Sequence, residues 1–248
     1  MIKGPHHLFL TWIIFSGFVV FGLVVAWHEH LLFALFAGDR SKISVGIVLL
    51  YITTTIHCAR RAYFISAQTD YAQAVEAIIR SQPSMKLQLI NARVHVTSQR
   101  PLPDSLITDY IGDLLRKVSG TRRSSDAEAF KSELTELYAG KLKGPHEIGW
   151  FIADITLKLG LLGTIIGFIL MLGSVAGTSD FDVSTMQKIL TDMSSGMGTA
   201  LYTTLAGLVA SMLLAAQYHM MDRGADELID RTTRLTEVFI LPTLIRAR

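Results

Sequence analysis

Threonine, aspartate and lysine side chains interrupt two long apolar stretches in the second half of the chain. Thr164 lies in "LKLGLLGTIIGFILML", which follows Asp154, and Thr203 and Thr204 lie in "GMGTALYTTLAGLVASMLLAA". If the chain conducts ions, these hydroxyls would offer neutral oxygen ligands to a hydrated proton or Na⁺. Lys158 follows Asp154 by about one helical turn, so the two side chains can form an ion pair on one helix face.

Small residues share a face with these threonines in both stretches. They are Gly160, Gly163 and Gly167 beside Thr164, and Ala200, Gly207 and Ser211 beside Thr204. Small residues let membrane helices approach closely, so the spacing predicts tight packing between the two stretches, with copies of the chain, or with a foreign helix. Packing alone also explains the pattern, because a threonine hydroxyl can bond to its own helix backbone.

The middle of every apolar stretch lacks Asp, Glu and His. A proton path through a bilayer usually needs an ionisable group near its centre. If this chain conducts ions, another chain must therefore supply the titrating carboxylate. Asp154 and Lys158 lie about two turns from the end of their stretch, where they form either an exit for the ion path or a snorkelling interfacial pair.

Four apolar segments meet or approach the length of about 20 residues that crosses the hydrocarbon core. They comprise residues 8–27, 43–59, 149–177 and 198–218. The fold class is therefore all-α, a polytopic membrane protein with a helical cytoplasmic region. The segment His30–Gly38 is apolar but too short to cross, so we expect it in the outer interface.

Basic residues set the orientation of the chain. Arg and Lys are concentrated after the second span and after the fourth, whereas the link between the third and fourth spans is acidic. The positive-inside rule therefore places both termini in the cytoplasm. The predicted parts are a membrane hairpin at 1–59, a cytoplasmic insert at 60–148, a core hairpin at 149–220 and a cytoplasmic C-terminal helix at 221–248.

The insert is predicted to be mostly helical. "SMKLQLINARVHVTS" at 84–98 is compatible with a helix or with strands. Gly144-Pro145 is expected to end the helical region before the third span, because proline removes a backbone donor.

Composition excludes several classes of function. Hydrophobic residues make up 50% of the chain, which is typical of a membrane protein, and a net charge of +2 does not indicate a nucleic-acid partner. Cys58 is the only cysteine, and no phosphate loop, HExxH or G-x-S-x-G motif occurs. His28 and His30 are more typical of an interface than of a metal site. We expect no enzyme activity, no metal, no cofactor and a retained N-terminal anchor.

"LGLLGTIIGF" and "GMGTALYTTLAGLVAS" together resemble the two core helices of the MotA/TolQ/ExbB proton-channel family. The resemblance covers residues 149–218. Four spans with the insert between the second and third resemble the flagellar-stator arrangement, while the compact insert is more similar to the TolQ and ExbB branch.

The resemblance implies a ring, typically a homopentamer, in the bacterial inner membrane. The ring would surround two copies of a single-span MotB/TolR/ExbD-like partner, each with a membrane aspartate, and contact membrane lipid. H⁺ or Na⁺ would pass between ring and partner and drive rotation or pulling. Thr164 and Thr204 match the family's channel-lining positions, and Thr203 is a second candidate beside Thr204.

Two positions depart from the family pattern. Thr199 stands where many ExbB and TolQ chains have a glutamate, and Leu157 stands where many have a proline. These departures leave open which machine is driven: flagellar, Tol/Ton-type, gliding, defence or another. A passive oligomeric scaffold that anchors a partner complex is the alternative function.

Overall fold

The computed structural model describes residues 7–81, 87–90, 93–96, 100–120, 124–175 and 182–242. Its helices are α1 (His7–His28), α2 (Leu31–Gly38), α3 (Ile43–Ser81), α4 (Leu106–Gly120), α5 (Ser124–Gly173) and α6 (Val183–Leu235), followed by a π-helical turn at Thr236–Ile240. The chain forms two compact units. The unit of Thr11–Arg60 and Glu147–His219 contains most of the apolar segments and is called the membrane unit. The unit of Met1–Leu10, Arg61–His146 and Met220–Arg248 contains most of the segments that the sequence predicts to be cytoplasmic and is called the cytoplasmic unit.

Four helices are long and apolar enough to cross a membrane, namely α1, α3, α5 and α6. This confirms the predicted helical membrane protein with four spans. Helix α2 has eight residues, too few to cross, and corresponds to the short apolar segment expected at the outer interface.

The helices that contain the spans are longer than the apolar segments. The prediction that Gly144-Pro145 ends a helical region is wrong, because α5 continues through Pro145. Proline removes one backbone hydrogen bond, and such a break is tolerated where a neighbouring polar group bonds to the backbone nearby. Here Arg61 Nη2 donates to the carbonyl of Leu142 at 2.6 Å, three residues before the proline.

The segment left open between helix and strand forms a small antiparallel sheet in the cytoplasmic unit. Its strands are β1 (Leu87–Ile90), β2 (Arg93–Val96) and β3 (Arg100–Pro101), in the order β1-β2-β3. Leu87 is paired with Val96 in the first ladder and His95 with Pro101 in the second. The short apolar–polar alternation of "LQLI" and "RVHV" favours strands over a helix here.

Helix α4 packs on α5 within the cytoplasmic unit. Ile107, Tyr110 and Leu114 are buried along one face of α4. The Tyr110 ring meets Tyr138 edge-on at 5.4 Å, and its hydroxyl lies 3.1 Å from the Thr135 hydroxyl. The amphipathic spacing of α4 thus forms the core of this unit.

Candidate functional site

Helices α5 and α6 approach each other backbone to backbone in the membrane unit. A Cβ atom added at Gly207 would lie 2.7 Å from the Gly160 Cα atom, and one added at Gly160 would lie 3.0 Å from the Gly207 Cα atom. Both distances are shorter than ordinary carbon contacts. Only glycine therefore fits at these two positions without separating the helices.

The contact continues along the stripe of small residues predicted from the sequence. Gly163 faces the side chain of Thr203, and a Cβ at Gly167 would lie 2.5 Å from the Ala200 nitrogen. A Cβ at Gly196 would lie 2.8 Å from the Gly167 carbonyl oxygen. The small residues thus pack the two core helices of one chain against each other, and Ser211 is half-buried on α6. Gly196 lies four residues before Ala200 and continues the three- and four-residue steps of this face, so it could have been identified from the sequence.

The two adjacent threonines of α6 have different environments. Thr203 is fully buried, and its hydroxyl donates to the carbonyls of Thr199 and Ala200 at 2.8 and 3.1 Å. Thr204 is half-buried, and its hydroxyl lies 3.2 Å from the Gly160 carbonyl oxygen and 3.0 Å from that of Ala200. Thr204 therefore links the two core helices through a hydroxyl, whereas Thr203 bonds to its own helix.

Thr164 lies on α5 outside the most closely packed stripe. It is half-exposed, and its hydroxyl donates to the Leu161 carbonyl at 2.5 Å. A hydroxyl that donates its hydrogen to a carbonyl keeps its oxygen lone pairs as acceptors. Thr164 and Thr204 thus both present oxygen acceptors that can receive a bond from water, a hydrated cation or a protonated carboxyl group.

Asp154 and Lys158 contact each other through Asp154 Oδ2 and Lys158 Nζ. Their side chains are 51% and 68% exposed in the single chain. Among the described residues of the membrane unit, neither charge forms a hydrogen bond or ion pair with Thr164 or Thr204. Exposed pairs of this kind contribute little to stability. Because both side chains are exposed, their charges are accessible to water, lipid headgroups or another chain.

An outer clasp, formed by Gly38, Arg40 and Thr199, joins the link between α2 and α3 to α6. The Thr199 hydroxyl oxygen lies 3.0 Å from the Gly38 carbonyl oxygen and accepts a hydrogen bond from the Arg40 amide at 3.1 Å. Thr199 is fully buried. Thr199 is one of the two positions that depart from the family pattern. Its contacts with Gly38 and Arg40, more than 150 residues away, could not have been predicted from the local sequence.

Asp39 holds the clasp loop at the start of α3. Its carboxylate accepts hydrogen bonds from the Ser41 amide at 2.9 Å and the Ser44 amide at 2.7 Å, and the residue is 4% exposed. Burial raises the pKa of Asp39, but these hydrogen bonds outweigh it and hold the pKa below its ordinary value. The carboxylate is thus an ionised cap on the helix.

A buried amide joins three helices of the membrane unit. Gln217 on α6 accepts a hydrogen bond from the Trp12 indole on α1 at 3.3 Å and donates to the Thr55 hydroxyl on α3 at 3.4 Å. Next to it, the Tyr218 hydroxyl lies 3.0 Å from His57 Nδ1. These contacts join α1 and α3 to α6.

Comparison with known proteins agrees with this arrangement. The MotA/TolQ/ExbB proton channel family matches residues 104–234, which include all of α5 and α6 up to Arg234. Biopolymer transport protein exbB1 of Vibrio cholerae serotype O1 is 39% identical over 75 residues. That alignment spans 30% of this chain and 30% of the relative.

Proteins of the matched family work in complexes with ExbD-, TolR- or MotB-like partners in the bacterial inner membrane. The four candidate spans fit that location. The match covers more than half of the chain and includes both closely packed core helices. The chain therefore belongs to the MotA/TolQ/ExbB proton channel family and is a multi-pass protein of the bacterial inner membrane.

Proposed function

We propose that this chain is the ring-forming, stator-type subunit of an inner-membrane motor driven by H⁺ or Na⁺. The observation that carries the proposal is the position of Thr164 and Thr204. Their hydroxyl groups lie outside the fully buried stripe of a core hairpin whose middle contains no ionisable residue. They provide neutral acceptors for an ion path but cannot themselves take up and release a proton at physiological pH.

The titrating group would come from a partner. A single-span partner with an aspartate in the membrane would place its carboxyl group beside the threonines, where the protonated form can donate to a hydroxyl oxygen. The ionised form would instead hold a hydrated proton or Na⁺ at the same place. The carboxyl group of the partner thus changes its charge, whereas the threonine oxygens of this chain remain neutral and fixed in position.

The close packing of α5 and α6 supports this role. The Thr204 hydroxyl lies 3.2 Å from the Gly160 carbonyl oxygen, and the glycine contact keeps that carbonyl within reach. A hydroxyl whose hydrogen is fixed between two carbonyls presents its lone pairs in a defined direction. Preorganised acceptors of this kind require little rearrangement when an ion arrives.

Each elementary charge that crosses the membrane releases about 2.3 kcal/mol per 100 mV. In the proposed motor, this free energy turns the ring relative to the partner pair. Asp154 would attract cations at the cytoplasmic end of the path. A homopentamer around two partner helices is the assembly that the family resemblance supports.

The test is ion flux in liposomes that contain the purified chain and its partner under an imposed potential. Thr204→Val removes the hydroxyl at nearly constant volume, and we expect it to abolish flux. Thr53→Val is the matched control, because Thr53 is exposed on α3 and its hydroxyl donates to the Leu49 carbonyl of its own helix. Unchanged flux in Thr204→Val would contradict an ion path lined by this residue.

The hydroxyl bonds of Thr204 also fit a second function, a passive membrane scaffold, because both bonds stabilise the contact between α5 and α6. A scaffold would assemble with its partner and conduct no ions in the wild type. Intact complexes without flux, after removal of any partner segment that plugs the path, would favour the scaffold over the motor.

A further inference from the structure

A buried histidine–aspartate pair joins the two core helices within the cytoplasmic unit. His146 Nδ1 on α5 lies 2.6 Å from Asp222 Oδ1 on α6. The His146 side chain is 2% exposed and that of Asp222 is 29% exposed. The imidazole is therefore shielded from water, while the carboxylate retains contact with it. Neither residue belongs to the predicted ion path.

We propose that His146 and Asp222 form a cytoplasmic proton-binding site that controls how firmly α5 is held to α6. With a neutral imidazole and an ionised carboxylate, the pair carries a net charge of −1. Uptake of one proton from the cytoplasm produces an imidazolium beside the carboxylate, and the pair becomes neutral. The proton adds to the imidazole ring, and no other bond is made or broken.

Protonation strengthens the contact for a simple electrostatic reason. The bond between a neutral imidazole and a carboxylate is already charge-assisted. Protonation of the ring adds the attraction between two opposite full charges at short range. Burial of the ring opposes its charge, but an anion at hydrogen-bonding distance favours it. The Asp222 carboxylate, 2.6 Å away, is that anion, and the titration described below measures which effect is larger.

The pair lies next to a missing backbone hydrogen bond in α5. Pro145, the residue before His146, removes one hydrogen bond from the helix. The side-chain bond from His146 to α6 therefore restrains α5 at a position where its own backbone bonding is incomplete. Loss of the proton would weaken that restraint.

Neighbouring charges accompany the pair. One turn further into the cytoplasmic unit, Lys143 Nζ lies 2.5 Å from Asp226 Oδ1. Helix α1 reaches α6 through Leu8, whose side chain fills the space at Gly224. Charged or titratable groups close to the pair in sequence, or on residues that contact its neighbours, include Arg61 and Tyr63 on α3, His7 on α1, Lys143 on α5, and Arg223 and Asp226 on α6.

Proton binding at the pair requires no ion flux. A failure of this proposal and a failure of the proposed function are therefore distinguishable.

The first test uses the full chain in lipid nanodiscs and measures the apparent Tm between pH 5.5 and 8. We expect the wild type to lose about 2–4 °C more than His146→Gln as the pH rises, because only the wild type loses the proton-dependent bond. Lys143→Gln is the control, since it disrupts the neighbouring exposed ion pair and leaves His146 intact. An identical pH profile in the wild type and His146→Gln would overturn the proposal.

A second measurement guards against a variant that fails to fold. The chain has eight histidines, so the His146 signal is assigned in ¹⁵N-histidine spectra of the nanodisc sample by its absence in His146→Gln, or in His146→Asn where His146→Gln fails to fold. We expect the ring to titrate in the wild type and to titrate at lower pH in Asp222→Asn, where the carboxylate charge is absent. A ring that stays neutral from pH 5 to 9, or a titration that does not respond to Asp222→Asn, would refute proton binding by the pair.

Discussion

Gly207→Ala should separate the two core helices. The added methyl group would lie 2.7 Å from the Gly160 Cα atom, 3.0 Å from the Gly160 nitrogen and 3.0 Å from the Thr156 carbonyl oxygen. All three atoms belong to the backbone of α5. No side chain can rotate out of the way, so the clash is relieved only if α5 and α6 move apart.

The magnitude follows from these distances. Carbon atoms rest about 3.5–4.0 Å apart, so the helices must move by about 1 Å. Overpacking of this kind costs about 1–3 kcal/mol. The same movement lengthens the bond of 3.2 Å between Thr204 and the Gly160 carbonyl beyond the ordinary hydrogen-bonding range. Gly207→Ala should therefore lower both the Tm and the ion flux.

The assay is thermal unfolding of the purified chain in nanodiscs, followed by ion flux with the partner. Gly22→Ala is the matched control, because apart from the adjoining backbone of α1 no atom of the described structure lies within 4 Å of a Cβ at Gly22, and the substitution changes the helix propensity in the same way. We expect Gly207→Ala to unfold several degrees below this control, at about 2–4 °C per kcal/mol. Equal Tm values for the two variants would refute the close approach of the helices at Gly207.

Three further predictions concern the polar contacts of the membrane unit. The lowered pKa of Asp39 contributes stability above the ordinary carboxylate pKa, and this stability is lost as the pH falls through the pKa of the folded state. In Asp39→Asn, the Tm should therefore fall less at acid pH than in the wild type. Thr199→Val should break the outer clasp and cost about 1–3 kcal/mol relative to Thr53→Val, measured by unfolding. Gln217→Leu should change the environment of Trp12 and shift tryptophan emission, and an unchanged spectrum with unchanged Tm would contradict the buried amide link.

The four spans and the closely packed stripe were predictable because they depend on local properties. Apolar segments of membrane length identify helices, and the three- and four-residue steps between Gly160, Gly163 and Gly167 identify one face. Which partner that face meets was not predictable. The structure places it against Gly207 and its neighbours of the same chain, one of the three alternatives compatible with the spacing.

Other features were not predictable because they depend on distant residues. The local sequence around Pro145 predicts the end of a helix. The contact of Arg61 with the Leu142 carbonyl, which stabilises the backbone near the missing hydrogen bond, comes from a distant helix. The Thr199 contacts with Gly38 and Arg40 likewise cross most of the chain. Sequence periodicity describes one helix at a time and carries no information about such contacts.

Thr203 and Thr204 are adjacent in sequence but differ in their environment, because each points in a different direction from helix α6. Successive helical residues differ by about 100°, which is enough to place Thr203 inside the contact with α5 and Thr204 at its edge. Thr203 is 0% exposed, and its side chain fills the space left by Gly163, so an ion cannot reach it without separating the helices. Thr203→Val should therefore preserve flux in the liposome assay, whereas Thr204→Val should abolish it. The reverse result would place the path between α5 and α6, where the backbone contact at Gly160 and Gly207 leaves no space for a hydrated ion.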